Sequence, residues 1–360
     1  MIGDGGAAKF LIDKLEAEQM LKKEEFIELL DGFDGAFDEY LAQKARAAKQ
    51  EHYGANVYLR GLIEFTSWCK NDCLYCGIRA GNKNAQRYRL SHEEILKCCR
   101  QGHALGFRTF VLQGGEDPFF NDDLMCAIVR SIRLEFEDCA ITLSLGERSR
   151  QSYQRLFDAG ADRYLLRHET ANFKHYGALH PKTMSLEKRM RCLWELKEIG
   201  YQVGCGFMVE SPGQTSECIA EDLMFIKRLE PQMVGIGPFI PHKDTAFAKC
   251  RAGTLEKTLM LISVLRLMLP KALLPATTAL GSISPLGREL GILHGANVLM
   301  PNLSPVGVRK KYMLYDNKIC TGEEAAECRR CLQSRMEKIG CSTEPARGDA
   351  VGFDRLKALV

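Results

Sequence analysis

Three closely spaced cysteines, Cys69, Cys73 and Cys76, lie in the segment CKNDCLYC. A closed zinc site needs four ligands, often in two pairs, and the C-x3-C-x2-C spacing fits that arrangement poorly. Three thiolates can instead hold three irons of a 4Fe–4S cube, which leaves the fourth iron open to a small ligand. The motif therefore predicts such a cluster, and a structural zinc site completed by a distant His or Cys is the alternative.

A second group of three cysteines lies near the C-terminus, in CTGEEAAECRRC, as Cys320, Cys328 and Cys331. The C-x7-C-x2-C spacing favours a second iron–sulfur cluster, of the 2Fe–2S or 4Fe–4S type, completed by water, a small ligand or a remote residue. Two alternatives stay open. One is a zinc site with Cys341 as the fourth ligand, and the other is a set of unliganded thiols.

The composition of the 360-residue chain is that of an ordinary globular protein, with 46% hydrophobic and 26% charged residues. The 49 basic and 46 acidic residues nearly balance, so charge gives no reason to expect a nucleic-acid or membrane partner. The N-terminal segment has no apolar core of a secretory signal, and no apolar run reaches the roughly 18 residues of a membrane span. We therefore expect a cytoplasmic protein, whose fifteen cysteines are thiols or metal ligands rather than disulfides.

Helical patterns come first along the chain, and strand-like runs then alternate with amphipathic helical patterns. Eight strands are predicted, at 57–65, 108–114, 140–146, 163–169, 202–209, 233–240, 273–280 and 297–302. The fold class is therefore α/β, a closed (β/α)8 TIM-type barrel. An open doubly wound sheet is less favoured, because no G-x-G-x-x-G follows the first strand. Three regions are predicted: an N-terminal helical extension (1–52), the barrel (53–305) and a C-terminal segment with the second cysteine group (306–360).

Polar motifs follow several predicted strands, where a barrel of this kind places its chemistry. QGGEDP, with Gly114, Gly115 and Glu116, ends the second strand, and TLSLGE, with Ser144, ends the third. LLRHETAN, with Glu169, ends the fourth. A helix-capping turn at QGGEDP and a surface Arg–Glu pair at LLRHETAN are the simpler structural interpretations.

The cysteine motif after the first barrel strand, with the aromatic Tyr75 before its third cysteine, resembles the signature of the radical S-adenosylmethionine (SAM) superfamily. The resemblance implies that the open iron binds the amino and carboxylate groups of SAM's methionine. It also implies that the reduced cluster cleaves the sulfonium to release a 5′-deoxyadenosyl radical. SAM would then be the missing ligand of the three-cysteine site.

The resemblance also implies roles for residues outside the cysteine loop. The G-G-E stretch Gly114, Gly115 and Glu116 would approach the methionine ammonium, because glycine lets backbone come close. Glu169 would bind the ribose hydroxyls, and Arg189 would face the methionine carboxylate. Ser144 is a weaker candidate, for which simple backbone capping is the alternative.

Within the superfamily the chain resembles the HydE family of FeFe-hydrogenase maturases, from about Asn56 to Cys331. The blocks that carry this resemblance include IEFTSWCKNDCLYCGIR, VLQGGEDP, GADRYLLRHETAN, MVGIGPFIPH and the C-terminal cysteine triplet. Biotin synthase and methylornithine synthase share part of the pattern. Biotin synthase would be expected to line its barrel with more cysteines than Cys205, and methylornithine synthase would not be expected to carry the triplet.

The HydE resemblance implies a small iron–cysteine complex with carbon monoxide and cyanide ligands as the substrate, and transient contact with other hydrogenase maturases. Substrate candidates are Thr142, His168, Thr277, Thr278, Met300 and Tyr312, whose hydroxyl, imidazole and thioether groups suit anionic ligands or a metal. Each of them could instead fill the core or, for His168, be a structural histidine.

Two alternative functions stay open at this stage. The first is a radical SAM reaction on an organic substrate, of the methylornithine synthase or biotin synthase kind. The second is a non-enzymatic iron–sulfur electron carrier. QGGEDP and LLRHETAN argue against the carrier, because an electron carrier needs no pocket for an ammonium, a carboxylate and a ribose.

Overall fold

The computed structural model describes residues 4–32, 35, 37–322 and 325–353. The helices are α1 (Asp4–Glu18), α2 (Lys23–Asp31), α3 (Asp38–Tyr53), α4 (His92–Ala104), α5 (Asp122–Glu135), α6 (Arg150–Asp158), α7 (Phe173–Leu179), α8 (Leu186–Ile199), α9 (Ser216–Leu229), α10 (Leu255–Met268), α11 (Thr278–Ile283), α12 (Gly287–Leu293), α13 (Val306–Arg309) and α14 (Ala325–Lys338). The strands are β1 (Asn56–Leu59), β2 (Gly61–Thr66), β3 (Thr109–Gly114), β4 (Ala140–Ser144), β5 (Arg163–Leu165), β6 (Gln202–Cys205), β7 (Met208–Val209), β8 (Met233–Val234), β9 (Gly237–Pro238), β10 (Val298–Leu299) and β11 (Ser342–Glu344).

The strands close into a parallel eight-stranded barrel. Six of them pair in the order β2-β3-β4-β5-β6-β8. Parallel bridges join Met233 to Leu273 and Pro275 to Val298, which brings in the seventh and eighth strands. The eighth returns to the first, because β10 pairs with β1 and Asn302 bridges to Leu62. The predicted α/β barrel is therefore confirmed.

Polar caps start the helices that surround the barrel. In seven of the described helices the side chain before the first turn accepts a backbone N–H, which satisfies a donor that the helix itself cannot pair. These caps are Ser91, Asn121, Ser149, Asn172, Ser185, Thr215 and Thr254. The helices return the chain between parallel strands, so the loops that follow the strands gather at one end of the barrel.

The seventh predicted strand, 273–280, is wrong over its second half. Only Leu273 and Pro275 make strand bridges, and α11 begins at Thr278. The physical reason is Pro275, which has no N–H to donate to a ladder and so limits pairing on that side. The first predicted strand, 57–65, spans 56–66 in the structure with a break at Arg60, whereas the remaining strands are shorter than predicted or are interrupted after Cys205 and after Val234.

The C-terminal segment closes the end of the barrel opposite to these loops. Helix α14 packs Leu332 and Met336 into the main core, and β11 adds to the start of β1. The following turn places Asp349 2.7 Å from the fully buried guanidinium of Arg163. The three-region division stays a prediction, and residues 1–3 and 354–360 of its two ends lie outside the described residues.

None of the helices in the described ranges combines the length and the hydrophobicity that crossing a bilayer requires.

Candidate active site

The loop that carries Cys69, Cys73 and Cys76 directly follows β2 at the C-terminal end of the barrel. Its return segment is anchored by Arg89, which makes a two-pronged ion pair with the buried carboxylate of Asp117 at 2.7 and 2.9 Å. Asp117 also accepts a hydrogen bond from Thr66 at 2.8 Å. Arg87 donates to backbone carbonyl groups inside the loop, including that of Ile78 at 2.8 Å. A loop held in this way presents its three thiols as one rigid set.

The three thiols share one partly buried environment. Burial raises the pKa of Cys69 and, with the help of the neighbouring Cys69 thiol, raises that of Cys76 to about 12. Burial and the two neighbouring thiols also raise the pKa of Cys73. The sulfur of Cys69 accepts backbone N–H groups of Asn71 and Glu116. Thiols of this kind are neutral without a cation, so an iron centre that binds them as thiolates must displace their protons.

The G-G-E stretch packs directly on the cysteine loop. A Cβ atom at Gly115 would lie 2.2 Å from the carbonyl oxygen of Trp68 and 2.7 Å from Cβ of Cys69, so only glycine fits there. The backbone N–H of Lys70 donates to the carbonyl of Glu116 at 2.9 Å. A Cβ atom at Gly114 would lie 2.7 Å from the methyl carbon of Thr66, so the backbone is close there as well. The structure therefore joins this stretch to the cysteines, as predicted from their positions after adjacent strands.

A buried charge cluster lies beside the G-G-E stretch. The carboxylate of Glu116 accepts the backbone N–H of Glu147 at 3.0 Å. Arg189, which is 7% exposed, has its Nε 2.9 Å from Glu147 and its terminal nitrogen 4.0 Å from Glu116. Burial alone would lower the pKa of Arg189, but Tyr176, Glu147 and Glu116 together raise it. The guanidinium is thus held charged in a largely dry site.

Glu169, after the end of the fourth barrel strand, adds a further carboxylate to this side of the site. Its carboxylate lies 3.2 Å from Arg167 and has an effect on the pKa of both Cys73 and Cys76, so it faces the cysteine loop. Glu169 is one of the few non-glycine residues with a positive φ, at 67°. A distorted backbone of this type is typical of functional sites.

Several buried polar atoms in this region make no hydrogen bond to any described residue. They are Oε2 of Glu169, Oε1 of Glu147, Nε of Arg189 and Nε of Arg167. Glu147 forms an ion pair with Arg189, and Glu169 forms one with Arg167. Buried charged groups whose atoms still lack hydrogen bonds call for an explanation such as a bound ligand. Carboxylates and guanidiniums are also the groups that recognise the hydroxyl and carboxylate groups of SAM. The residues present therefore fit a 4Fe–4S cluster with SAM on its open iron.

Tyr75 and Ser144 lie at the edges of this arrangement. The hydroxyl of Tyr75 is 3.2 Å from Nε2 of His180, and its ring packs against the apolar group of Leu179, Met208 and Phe239. Ser144 is the last residue of β4 and is partly exposed, in register with Gln113 of β3. Both lie next to the cysteine loop or the G-G-E strand, and the contacts of the described residues give neither a more specific role.

The substrate candidates separate into groups by location. Thr142 is buried on β4 in register with Arg163, and its hydroxyl, like that of Thr277, makes no hydrogen bond to a described residue. Thr277 and Thr278 start α11. The hydroxyl of Tyr312 is buried 3.4 Å from Gln113 of β3. Met300 packs against an apolar group that contains Met233 and Val298.

His168 is placed differently from the prediction that it contacts substrate. It is fully buried, its Nε2 lies 3.2 Å from Asp222 of α9, and its ring packs against Phe225 of the same helix. The side chain therefore lies between the sheet and the helical layer. The structural histidine, which was the alternative, agrees with this position.

Glu147, Tyr176 and Met184 are site residues that sequence reasoning missed. Glu147 faces Arg189, Tyr176 affects the pKa of Arg189, and the sulfur of Met184 is 3.8 Å from that of Cys73. Glu147 is the last residue of the TLSLGE block, so its place after a strand was a usable signal. Tyr176 and Met184 lie in and after α7, where nothing local distinguishes them from packing residues.

The second cysteine group lies along the start of α14. Cys328 and Cys331 are in the first turns of that helix, and the sulfur of Cys320 is 2.9 Å from a terminal nitrogen of Arg288 in α12. The sulfur of Cys341 lies 3.7 Å from Nζ of Lys49 in α3, after the other end of α14. The helix length between them separates Cys341 from Cys328, which does not favour Cys341 as a fourth ligand.

Comparisons with known proteins identify the family of the chain. The sequence profile of the Radical SAM superfamily matches residues 63–226. The chain is 44% identical over 330 residues to the [FeFe] hydrogenase maturase subunit HydE of Thermotoga maritima, covering 92% of this chain and 94% of that protein. It is 28% identical over 335 residues to the 3-methylornithine synthase of Methanosarcina acetivorans, covering 92% and 90%.

Solved structures show the same architecture. The crystal structure of methylornithine synthase (PylB) has a TM-score of 0.82 and 27% identity, covering 93% of this chain and 97% of that one. The maturase HydG has a TM-score of 0.80 at 19% identity, with coverage of 95% and 76%, which shows a shared fold alone. The chain therefore belongs to the HydE family of radical SAM enzymes, which use a 4Fe–4S cluster and SAM.

Proposed function

We propose that this protein cleaves SAM reductively and acts in the maturation of FeFe hydrogenases, on a small iron complex that carries cysteine, carbon monoxide and cyanide. The observation that carries the proposal is the three-cysteine loop beside a cluster of buried charged groups whose atoms make few hydrogen bonds to described residues. Identity of 44% over 92% of the chain to a HydE protein supports the maturation role. We place the protein in the cytoplasm, with other hydrogenase maturases as transient partners.

Each part of SAM has a complementary group in the site. Cys69, Cys73 and Cys76 would hold the cluster. The backbone around Gly114 and Gly115 would accept the methionine ammonium, with Glu116 beside it. Arg189 would pair with the methionine carboxylate, since its guanidinium is buried and held charged beside the G-G-E stretch. Glu169 would accept the ribose hydroxyls through Oε2, which accepts no hydrogen bond from a described residue. Tyr75 and Ser144 would border the adenosine.

The bound cluster, once reduced, supplies the electron that cleaves the SAM sulfonium and yields the 5′-deoxyadenosyl radical. The chain's own residues orient SAM and keep water out, and both effects favour a reaction that proceeds through a radical. Glu147 contributes by keeping the Arg189 guanidinium in place at 2.9 Å.

The iron complex would bind deeper in the barrel. The buried hydroxyls of Thr142 and Thr277, which no described residue pairs, suit the cyanide and carboxylate of such a complex. Tyr312 and Thr278 would add further hydroxyl contacts, and the Met300 thioether suits a soft metal centre. His168 is not part of this proposal, because its side chain faces α9.

We also propose that Cys320, Cys328 and Cys331 bind a second iron–sulfur cluster. Cys328 and Cys331 are one helical turn apart at the start of α14, which aligns their side chains. Arg288, 2.9 Å from the Cys320 sulfur, would balance thiolate charge. Because α14 lies outside the barrel, this cluster would serve structure or electron transfer rather than SAM binding.

A methylornithine synthase-like reaction on an amino acid is the second candidate function. The TM-score of 0.82 to methylornithine synthase at 27% identity favours it over other organic reactions. The cysteine triplet and the higher identity to a HydE protein favour the iron complex.

The proposal is tested with anaerobically reconstituted protein, SAM and dithionite. We expect 5′-deoxyadenosine or an adenosylated product from the unchanged protein, and a loss of at least a hundredfold in Cys73→Ala, because an incomplete cysteine set cannot hold the cluster. Cys126→Ala is the matched control, since Cys126 is a buried thiol of α5 outside both groups. SAM cleavage at an unchanged rate in Cys73→Ala would contradict the site assignment.

A further inference from the structure

We propose that His168 and Asp222 form a buried latch that fixes Glu169 in the conformation in which its carboxylate meets the SAM ribose. The inference rests on the proposed function, because it takes Glu169 as the ribose acceptor. His168 and Asp222 are positioning residues, since both side chains lie between the sheet and α9 and act on SAM only through Glu169.

The backbone at Glu169 needs support from its surroundings. A φ of 67° is unfavourable for a residue with a side chain, so contacts must hold it there. One such contact is the hydrogen bond from the Glu169 N–H to the carbonyl of Gly206 at 3.0 Å. Gly206 itself can only be glycine, because a Cβ there would lie 2.0 Å from the carbonyl oxygen of Gly235. This hydrogen bond joins the chain after β5 to Gly206, which directly follows β6 and whose position is fixed by its contact with Gly235.

His168 also forms a hydrogen bond with Gly206. Its Nδ1 accepts the backbone N–H of Gly206 at 3.4 Å, and burial lowers the pKa of His168 to about 3, so the ring is neutral. A neutral imidazole has one donor and one acceptor. Since Nδ1 accepts, Nε2 carries the hydrogen and donates to Asp222 at 3.2 Å. His168 and Glu169 thus bind the two sides of Gly206.

Asp222 holds the turn that contains Glu169 at both of its ends. The same carboxylate oxygen that accepts from His168 also accepts the backbone N–H of Ala171 at 2.5 Å. Residues 168 and 171 flank Glu169 and Thr170, so one helix-borne carboxylate fixes the whole turn. Asp222 is fully buried on α9.

The turn matters for SAM because Glu169 alone among these groups faces the cysteine loop. Its carboxylate affects Tyr75, Cys73 and Cys76 electrostatically, and its Oε2 has no hydrogen bond to a described residue. Loss of the latch would let the backbone relax away from positive φ and carry the carboxylate with it. The consequence is weaker ribose binding, with the cluster and the methionine groups of SAM unaffected.

Equilibrium binding to the reconstituted, oxidised enzyme tests the latch without relying on turnover. Calorimetric titration with SAM is compared with titration with methionine, which has the amino and carboxylate groups but no ribose. We expect Asp222→Ala to raise the Kd for SAM at least tenfold and to change that for methionine less than threefold. Asp222→Asn keeps an oxygen that can accept both hydrogen bonds and should restore SAM affinity to within about threefold.

Two further variants keep the test valid if Asp222→Ala does not fold. His168→Phe preserves the packing against Phe225 but lacks both hydrogen bonds, so it should show the same selective loss. Asp162→Ala is the matched control, because Asp162 is a buried carboxylate bound to Arg133 and Arg347 at the opposite end of the barrel. It should leave the affinities for both ligands unchanged.

A double-mutant cycle with Glu169→Ala separates positioning from general damage. If the latch acts through Glu169, the double variant Glu169→Ala/Asp222→Ala binds SAM no more weakly than Glu169→Ala alone. Additive losses, an equal loss of methionine affinity, or full SAM affinity in both Asp222→Ala and His168→Phe would overturn the latch. An unchanged protein that binds neither SAM nor methionine would contradict the proposed function itself, and the latch with it.

Discussion

The packing of the cysteine loop depends on the absence of a single atom, the Cβ of Gly115. Its absence lets the end of the second strand touch the loop at Trp68 and Cys69. The hydrogen bond from Lys70 N–H to the Glu116 carbonyl depends on that approach. Gly115 therefore fixes the position of the cysteine loop that would hold the cluster. Its effect on SAM binding follows from that position.

Gly115→Ala tests this contact. The new methyl group would lie 2.2 Å from the Trp68 carbonyl oxygen, so either the loop or the strand must move. We expect iron content after reconstitution to fall by at least half and SAM cleavage to fall at least tenfold, measured by iron analysis and product chromatography. Gly177→Ala is the control. A Cβ there meets nothing within 4 Å inside α7, and alanine in a helix should stabilise the protein by about 0.5–1 kcal/mol. Normal iron content in Gly115→Ala would contradict the proposed packing.

The sequence predicts site residues where position along the chain carries the information. Glu116 and Glu169 each follow a strand, and the barrel brings strand ends together, so their position at the same end of the barrel was foreseeable. Tyr176 and Met184 reach the site from α7 and the turn after it, and only the packed structure shows this. His168 shows the converse limit, because adjacent residues of one strand end point to opposite sides and the pattern alone does not say which faces the cavity.

At the level of elements, α14 follows the last barrel strand and packs against the core of the barrel. Its buried Leu332 and Met336 join the main core, and its first turns present Cys328 and Cys331. The number of strands was predictable, because buried parallel strands are near-continuous apolar runs. The positions at which the strands end were not predictable. Pro275 ends the pairing of the seventh strand, and the run that continues as far as Leu280 is already helical from Thr278.

Replacement of both helix cysteines tests the second cluster. We expect Cys328→Ala/Cys331→Ala to lose about two irons per chain for a 2Fe–2S cluster or about four for a 4Fe–4S cluster. SAM cleavage with dithionite should stay within about twofold, because α14 lies outside the barrel cavity. Iron analysis and product formation are measured on the same preparation, with Cys126→Ala as the control. Unchanged iron content would show that these cysteines hold no cluster.

At the scale of the whole molecule, the two ends of the barrel have different tasks. The loop end carries the cysteines and the buried charge cluster, whereas the other end is closed by the chain's own C-terminal segment. Asp349 of that segment binds the fully buried Arg163 at 2.7 Å and Gln202 at 2.6 Å. Such a closure stabilises the barrel without touching SAM.

Asp349→Ala should therefore affect stability rather than catalysis. It leaves the guanidinium of Arg163 buried without its carboxylate, and the breaking of a buried pair costs about 3 kcal/mol. Urea denaturation measures the loss, and the KM for SAM should not change. Asp123→Ala, which removes an exposed partner of Arg155, should cost less than about 1 kcal/mol. A shifted KM with unchanged stability would contradict the division between the two ends.

The same contact has a defined pH dependence. Burial alone would raise the pKa of Asp349, but Arg163, Gln202 and Arg347 outweigh it and lower that pKa below the ordinary 3.8. A depressed carboxyl pKa stabilises the fold fully above the unfolded value and progressively less as the pH falls below it. The difference in unfolding free energy between the unchanged protein and Asp349→Ala should thus be constant near neutral pH and shrink below about pH 4.

The most direct test of the central claim is a choice between two substrates. Reduced, reconstituted enzyme receives SAM together with the iron–cysteine–carbonyl–cyanide complex in one reaction and lysine in another, and SAM consumption is followed in both. We expect the iron complex to raise the rate of SAM consumption at least tenfold over the rate without substrate, and lysine to leave it unchanged. Productive SAM consumption with lysine, and none with the iron complex, would contradict the claim that this protein matures a hydrogenase.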